Sequence, residues 1–220
     1  LIYGLGELLH LKFWKGKTLE EAVDSAAGPT IEAIEKVVKI NQTDHAQGHI
    51  CPDTAGWLAL GPSGLLARVD ALRGARGDED RFLEGVAITL EAAIDFILRY
   101  ADLAESTARY DVDLRDDPVR RDELEQIATI CRALATRPPQ SFHEAVQSVW
   151  FLYVILQMES NASSFSPGRM DQYLYPYFRR DFDEGRLSHD EALELVEALW
   201  LKFNQVVYLR SANSARYFAG

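Results

Sequence analysis

Cysteine is scarce in this sequence: Cys51 and Cys131 are the only two in 220 residues. Two thiols cannot build a disulfide framework, and their rarity suits a reducing cytoplasm, where the chain is expected to reside. Basic residues are also few, 23 Lys and Arg against 34 Asp and Glu, for a net charge of −11. Without clustered cations the chain cannot neutralise phosphate, which excludes nucleic acid as a partner. The acidity favours solubility and says little about substrate. No apolar run approaches the ~20 residues that cross a bilayer. The nearest, Ala145 to Met158, carries Gln147, Ser148 and Gln157 and reads as a buried helix, so no membrane association is expected. Leu1 to Trp14 contains Glu7, His10 and Lys12 and lacks the basic start and small-residue cleavage site of a signal peptide. There is no internal repeat, no low-complexity tract and no convincing domain boundary, so residues 1–220 read as one partial domain. The start at Leu1 and the end at Gly220, directly after an apolar-aromatic run, read as those of an internal fragment.

What is present is mostly helix. Thr18 with Glu21 forms a capping-box pattern for a short helix that stops near Gly28-Pro29, and Thr30 caps a second one carrying Ile31, Ile34, Val37 and Val38. From Asn41 to Asp53 the helical period is lost, with Gly48 and Pro52 as breakers. A helix is expected from about Pro62 to Leu72, then a linker at Gly74–Gly77. A long helix of roughly 30 residues opens at Asp80, with Phe82, Val86, Leu90, Ala93, Ile94, Ile97 and Leu98 on one face. Asp117-Pro118 opens the next, through Leu124, Ile127, Cys131 and Leu134, ending before Pro138-Pro139. Ser141 with Glu144 starts an apolar helix to Met158. Ser188 with Glu191 starts the last, through Leu193, Val196, Leu199, Trp200 and Phe203. Strand signals are confined to His49–Cys51, Ser160–Ser166 and Arg216–Ala219.

Two constellations carry candidate chemistry. Asp44, His45, His49 and Asp53 fall within ten residues. Two imidazoles and two carboxylates are of the type that binds zinc or iron. A spacing of four would put both histidines on one helical face, but Gly48 and Pro52 oppose a helix there. Metal binding, loop packing with capping, and the lining of a substrate pocket are the three readings open at this point. The second constellation is the stretch 159–185, where Ser163 and Ser164 precede Arg169, Asp171, Gln172 and the ring cluster Tyr173, Tyr175, Tyr177 and Phe178. Such a density of polar and aromatic groups is costly to bury unless each finds a hydrogen-bond partner. Small hydroxyls in a loop often bond only the backbone. Arg169 and Asp171 read as a charge-assisted structural pair at a helix start. The tyrosines, Trp57, Trp150 and Trp200 read as core and interface packing residues, and both cysteines as buried packing residues.

The run Ser166-Pro167-Gly168-Arg169-Met170-Asp171-Gln172-Tyr173-Leu174-Tyr175-Pro176-Tyr177 resembles the Ser-x-Gly-Arg-x-Asp-Gln-Tyr-x-Tyr-Pro-Tyr segment of glycyl radical enzymes. Within that family it is similar to the branch of dehydratases and carbon–heteroatom lyases. Upstream, Gly48-His49-Ile50-Cys51-Pro52-Asp53, followed by Gly61 and Gly64-Leu65-Leu66, resembles the family's Gly-His-x-x-Pro-Asp element and the helix after it. Downstream, Asp181 to Phe203, Leu209-Arg210 and Tyr217-Phe218-Ala219-Gly220 keep the family's order and spacing. The resemblance covers roughly the whole chain. It implies part of the amino-terminal half of a ten-stranded α/β barrel whose outer helices make this region mainly α.

The resemblance also implies a function. The complete enzyme would hold a backbone radical on a carboxy-terminal glycine, installed by a radical S-adenosylmethionine activating enzyme, and would relay it to a loop cysteine that takes hydrogen from a small-molecule substrate. The family's cysteine lies in Gly-Cys-x-Glu, a context that neither Cys51 nor Cys131 has. Arg216 to Gly220 lacks the tyrosine of the family's Arg-Val-x-Gly-Tyr radical loop. The expectation is therefore a fragment that supplies barrel wall and pocket but no catalytic residue, no metal and no radical of its own. It would be inactive alone and homodimeric when complete. Asp44, His45, His49, Ser163 and Ser164 are its expected substrate-binding residues. Relatives acting on diols carry Gly-His-Ser where this chain has Ala162-Ser163-Ser164, which sets it apart from a glycerol or propanediol dehydratase. The competing classes are a non-catalytic helical scaffold and a metal-dependent hydrolase built on His45 and His49.

Overall fold

The computed structural model describes residues 50–73, 80–111, 117–160 and 165–205, with the side chains of residues 159 and 160 left out. Every regular element among them is a helix: α1 Thr54–Asp70, α2 Asp80–Tyr110, α3 Pro118–Thr136, α4 Phe142–Ser160, the short α5 Met170–Tyr173, α6 Tyr175–Asp183 and α7 His189–Phe203. The mainly helical expectation therefore holds, whereas no barrel strand occurs among the described residues. The two helices expected before residue 50, the Gly74–Gly77 linker and the strand signal at Arg216–Ala219 lie outside them. None of the described helices is long and apolar enough to cross a membrane. The chain divides into two compact units, one of residues 1–51, 153–166 and 200–220, the other of residues 52–152 and 167–199.

In the second unit the helix boundaries follow local chemistry. Asp53 caps α1 by accepting the Gly56 N–H at 2.9 Å, and the helix is kinked at Gly61, where φ is 66° and ψ 171°. A side chain there would be strained and would crowd the Arg137 carbonyl at 3.3 Å. The expected start at Pro62 is thus the start of the second half only; the kink hides the first half from a periodicity argument. Asp117 caps α3 by accepting the Arg120 N–H at 2.9 Å, with Pro118 in the first turn as expected. At α7 the capping box is complete: the Ser188 N–H and hydroxyl both donate to Glu191 at 2.7 Å, and the Glu191 N–H donates back to the Ser188 hydroxyl at 3.2 Å.

The core of this unit is built on α2, which packs on α3 and on α1. The buried line of α2 is Ala93, Ile97, Ala101, Ala104 and Ala108, spaced by three or four residues. Small side chains let α3 approach closely, and Ala104 and Ala108 meet Leu124, Ala128 and Ile127. The expected face differs at its start, because Phe82 is 73% exposed. With 31 residues against 19, α2 is about 46 Å long and α3 about 28 Å. One helix outlasts the other, so the stripe runs on beyond its cover. Phe96, Tyr100 and Phe151 form an edge-to-face triad with centroids 5.0–6.3 Å apart, which ties α2 to the first half of α4. Trp57 is buried, and its indole N–H donates to the Ser148 hydroxyl at 2.9 Å and to the Ser148 carbonyl at 3.2 Å.

A polar hub closes the start of α4. The Ser141 hydroxyl accepts the Glu144 N–H at 3.2 Å. The Glu144 carboxylate turns away from a reciprocal box to take a two-pronged bond from Arg137, 2.8 Å on each arm, and the Gln140 N–H at 2.6 Å. The second cap comes from far along the chain. Asp181 of α6, 3% exposed, accepts the Phe142 N–H at 2.6 Å and the Arg186 guanidinium at 2.7 Å, while Arg180 donates to the Gln140 carbonyl. In the first unit, the Tyr153 and Phe203 rings meet at 4.5 Å. Val154, Gln157 and Phe165 are buried there.

Candidate functional site

The five expected substrate-binding residues, Asp44, His45, His49, Ser163 and Ser164, lie outside the described residues. The residues adjoining them in sequence are described. The Ser166 N–H donates to the Ile50 carbonyl at 2.9 Å, joining the segment after His49 to the segment after Ser164. Two of the expected strand segments therefore meet through a backbone hydrogen bond, although neither continues into a ladder among the described residues.

Following that contact, Gly168 turns the chain with a φ of 70°, and Arg169 sits at the start of α5. Its guanidinium forks onto Asp171, Nε to Oδ1 at 2.8 Å and Nη2 to Oδ2 at 2.7 Å. The bond from Arg169 holds the Asp171 carboxyl below the usual carboxylate range. Both side chains are largely exposed. The Tyr173 hydroxyl donates to the Pro167 carbonyl at 2.7 Å and that of Tyr177 to the Leu58 carbonyl at 3.3 Å. Tyr175 and Trp200 are exposed, so of the core and interface packing expected of these rings neither makes core packing among the described residues.

The two cysteines separate. Cys131 is buried as expected, in mid-α3, and burial pushes its thiol up to about 12, against thiolate chemistry. Cys51 is exposed rather than buried, since it lies in the extended segment ahead of the Asp53 cap and not on a helix face. Among the described residues, no group of three or more His, Cys, Asp or Glu is placed to hold a metal ion.

Three features escaped the sequence reading. A cleft of about 580 Å³ lies between α2 and α3, lined by Glu105, Arg109, Arg121, Glu125, Thr129 and Arg132. Arg132 bridges Asp102 and Glu105, and Arg109 pairs with Glu105 at 2.9 Å. With acids interleaved among the cations, this is an ion-pair lattice and not an anion site. The i, i+4 spacing of Glu105 and Arg109 was a legible signal for part of it. The second is the Asp181 cap, whose partner is 39 residues away and which no local signal reports. The third is Gln157, which is buried and whose Nε2 has no hydrogen-bond partner among the described residues.

Comparison with known proteins places this architecture. The sequence profile of the pyruvate formate lyase-like family matches residues 6–220. The (2S)-3-sulfopropanediol dehydratase of Klebsiella oxytoca is 34% identical over 211 residues, covering 90% of this chain and 25% of that protein. A structure described for 1,2-propanediol dehydration in Roseburia inulinivorans superposes with a TM-score of 0.73 at 36% identity, covering 94% of this chain and 25% of that one. A glycyl radical enzyme from Archaeoglobus fulgidus gives a TM-score of 0.69 at 32% identity, covering 90% and 26%. The chain spans about a quarter of the length of these relatives. It belongs to the pyruvate formate lyase-like family of glycyl radical enzymes.

Proposed function

We propose that this chain is a segment of a glycyl radical lyase of anaerobic metabolism: a dehydratase, a carbon–nitrogen, carbon–oxygen or carbon–sulfur lyase, or a decarboxylase. In this reading it contributes part of the barrel wall and of the substrate pocket. The observation that carries the proposal is the family match across residues 6–220, together with dehydratase relatives that align along nine-tenths of the chain. Asp44, His45, His49, Ser163 and Ser164 line the pocket as donors and acceptors for a polar substrate. Asp44 orients His49 or takes a cationic group, and a histidine ring nitrogen bonds a substrate hydroxyl. The Ile50–Ser166 hydrogen bond supports this assignment, because it ties together the stretches that carry His49 and Ser164.

The cysteines of the chain support a division of labour. A thiol held up to about 12 in mid-helix is a packing group, and Cys51 departs from the Gly-Cys-x-Glu pattern, with Ile50 before it and, two residues on, Asp53, which caps α1. The radical-bearing glycine, the thiyl cysteine and the general base are then supplied by other parts of the polypeptide. Those parts carry out hydrogen abstraction, and the residues named here bind, orient and exclude water. The complete enzyme is a cytoplasmic homodimer activated by a radical S-adenosylmethionine enzyme, and the isolated segment is inactive.

The test is anaerobic activation of the full-length protein with such an activating enzyme. A glycyl doublet in electron paramagnetic resonance, with turnover of a hydroxylated, aminated or sulfonated small molecule, is the expected result. A correctly folded full-length protein that acquires no radical would favour a non-catalytic scaffold.

A further inference from the structure

Two adjacent residues break α1 near its middle, and neither of them fixes the angle of the break. Gly61 has φ 66° and ψ 171°, a region open essentially to glycine alone. Glycine is permissive, so it allows this bend and many others. Pro62 follows inside the helix. It has no N–H, so the Leu58 carbonyl, four residues back, loses the donor that a helix would give it. Leu58 is 2% exposed, which keeps water from serving as that donor. A buried carbonyl without a partner is costly.

A side chain from far along the sequence supplies the missing bond. The Tyr177 hydroxyl of α6 donates to the Leu58 carbonyl at 3.3 Å, across 119 residues of chain. The Tyr177 ring lies under the Arg180 guanidinium, 5.7 Å from the centroid, and Arg180 in turn donates to the Gln140 carbonyl. Burial raises the Tyr177 hydroxyl above its usual range and outweighs the nearby Arg180 charge, so it stays protonated and able to donate. The α3–α4 connection approaches the same bend: a Cβ on Gly61 would stand 3.3 Å from the Arg137 carbonyl oxygen and from the Pro138 nitrogen. All of these residues belong to the unit of residues 52–152 and 167–199. Tyr173, in the same motif, makes a comparable bond over a shorter span, donating to the Pro167 carbonyl at 2.7 Å beside the Gly168 turn.

We propose that Tyr177 is a positioning residue that sets the bend of α1, its hydroxyl taking the place of the N–H that Pro62 lacks. The proline makes the break, the glycine permits it, and the tyrosine selects one angle. The first half of α1 is thus tied to α4 through the Trp57 indole and Ser148, and to α6 through Leu58. The assignment gives the last tyrosine of the Tyr-x-Tyr-Pro-Tyr run a role that its ring alone could not fill. It stands independently of the lyase reading.

The experiment uses the full-length protein with Tyr177→Phe, which removes one oxygen and leaves the ring under Arg180. Spin labels on genetically encoded ketone side chains replace the exposed Ala55 and Arg68, one on each half of α1, and leave every cysteine untouched. Double electron–electron resonance reads the bend, and native-state hydrogen exchange reads the opening of amides 57–60. The expected result is one narrow distance distribution in wild type and a broadened or displaced one in the variant. Exchange at 57–60 should be faster by about fivefold or more, as for an orphaned buried acceptor. Tyr173→Phe is the control: it should speed exchange at 172–174 and leave α1 as in wild type. The proposal is overturned if the two distance distributions superimpose, because the bond then stabilises α1 without setting its bend. It is also overturned if exchange at 57–60 stays within about twofold of wild type. Equal acceleration of amides 179–182, or an equal change in α1 from Tyr173→Phe, would overturn it too, since the hydroxyl would then serve α6 as a whole and not the kink.

Discussion

Replacing Asp181 should loosen the first turn of α4 by an amount that the structure lets one estimate. The carboxylate accepts the Phe142 N–H at 2.6 Å, and both residues are buried. In Asp181→Ala that N–H is left without an acceptor and out of reach of water. An orphaned buried donor costs about 1–3 kcal/mol, and loss of a helix cap typically costs about 1 kcal/mol. These are two descriptions of one loss and are not summed. Arg186 and Arg180 are 50% and 42% exposed, so they turn to water and add little. A net cost of about 2 kcal/mol corresponds to roughly a 30-fold rise in local opening. Because a large multi-element protein does not unfold in one step, the assay should be local: native-state hydrogen exchange of amides 142–146 in the intact protein. Asp181→Asn keeps an oxygen toward Phe142 and should give a smaller rise, of several-fold. The pH dependence has a definite sign. Burial pushes the Asp181 carboxyl up, but the Arg186 bond and the Phe142 N–H outweigh it and hold the group below its usual range. A folded value below the unfolded one gives stabilisation that is full above about pH 4 and is lost as pH falls below that. Wild-type protection of α4 should therefore drop in that acidic window, and Asp181→Asn should lose its share of the step, leaving that of Glu144, which is also held low. Exchange at 142–146 within threefold of wild type in Asp181→Ala would refute the tertiary cap.

Three further outcomes follow from single contacts. Gly61→Ala should destabilise by about 1–3 kcal/mol, since that backbone region is nearly closed to other residues and the new methyl crowds the Arg137 carbonyl; Gly85→Ala, in open helical space, should stabilise by about 0.5–1 kcal/mol, and denaturant unfolding of the pair checks both signs. Ser148→Ala should cost only about 1 kcal/mol, because the Ser148 carbonyl still accepts from Trp57, with a matching drop in Tm. Cys131 should resist alkylation by iodoacetamide at pH 8 in the native protein and react on unfolding, as read by peptide mass spectrometry; rapid native modification would contradict a buried thiol held up to about 12.

Helix starts were legible where the cap and the helix adjoin in sequence. Asp117-Pro118 and the Ser188–Glu191 pair appear in the structure with the expected bonds, because a cap needs only three or four residues of chain. What failed was the extent of the buried face. Of the expected α2 stripe Ala93 and Ile97 are buried, but Phe82 is exposed and the buried line runs on through Ala101, Ala104 and Ala108. Periodicity reports an amphipathic helix, but where a neighbour begins and ends depends on the lengths of other helices. Likewise Gly61-Pro62 looked like a helix start, when φ of 66° makes it a kink within α1. Asp181 stood in a charged run with nothing nearby to mark it as a cap for Phe142.

The candidate site was legible as a set of motifs and not as physical chemistry. Composition and spacing left Asp44, His45, His49 and Asp53 open to metal, packing or pocket roles; the family resemblance implied a pocket for the first three, and Asp53 caps α1. The polar groups that the structure buries add an independent criterion. Among the described residues four polar or charged side chains are buried: Thr54, Ser148, Gln157 and Asp181. Thr54 donates to the Pro52 carbonyl, Ser148 accepts from Trp57, and Asp181 accepts from Phe142 and Arg186. Those three belong to the unit of residues 52–152 and 167–199, where their bonds are explained by holding helices in place. Gln157 belongs to the other unit, and its donor is the exception. A satisfied buried group stabilises the fold, whereas an unsatisfied one lowers stability unless something else occupies it.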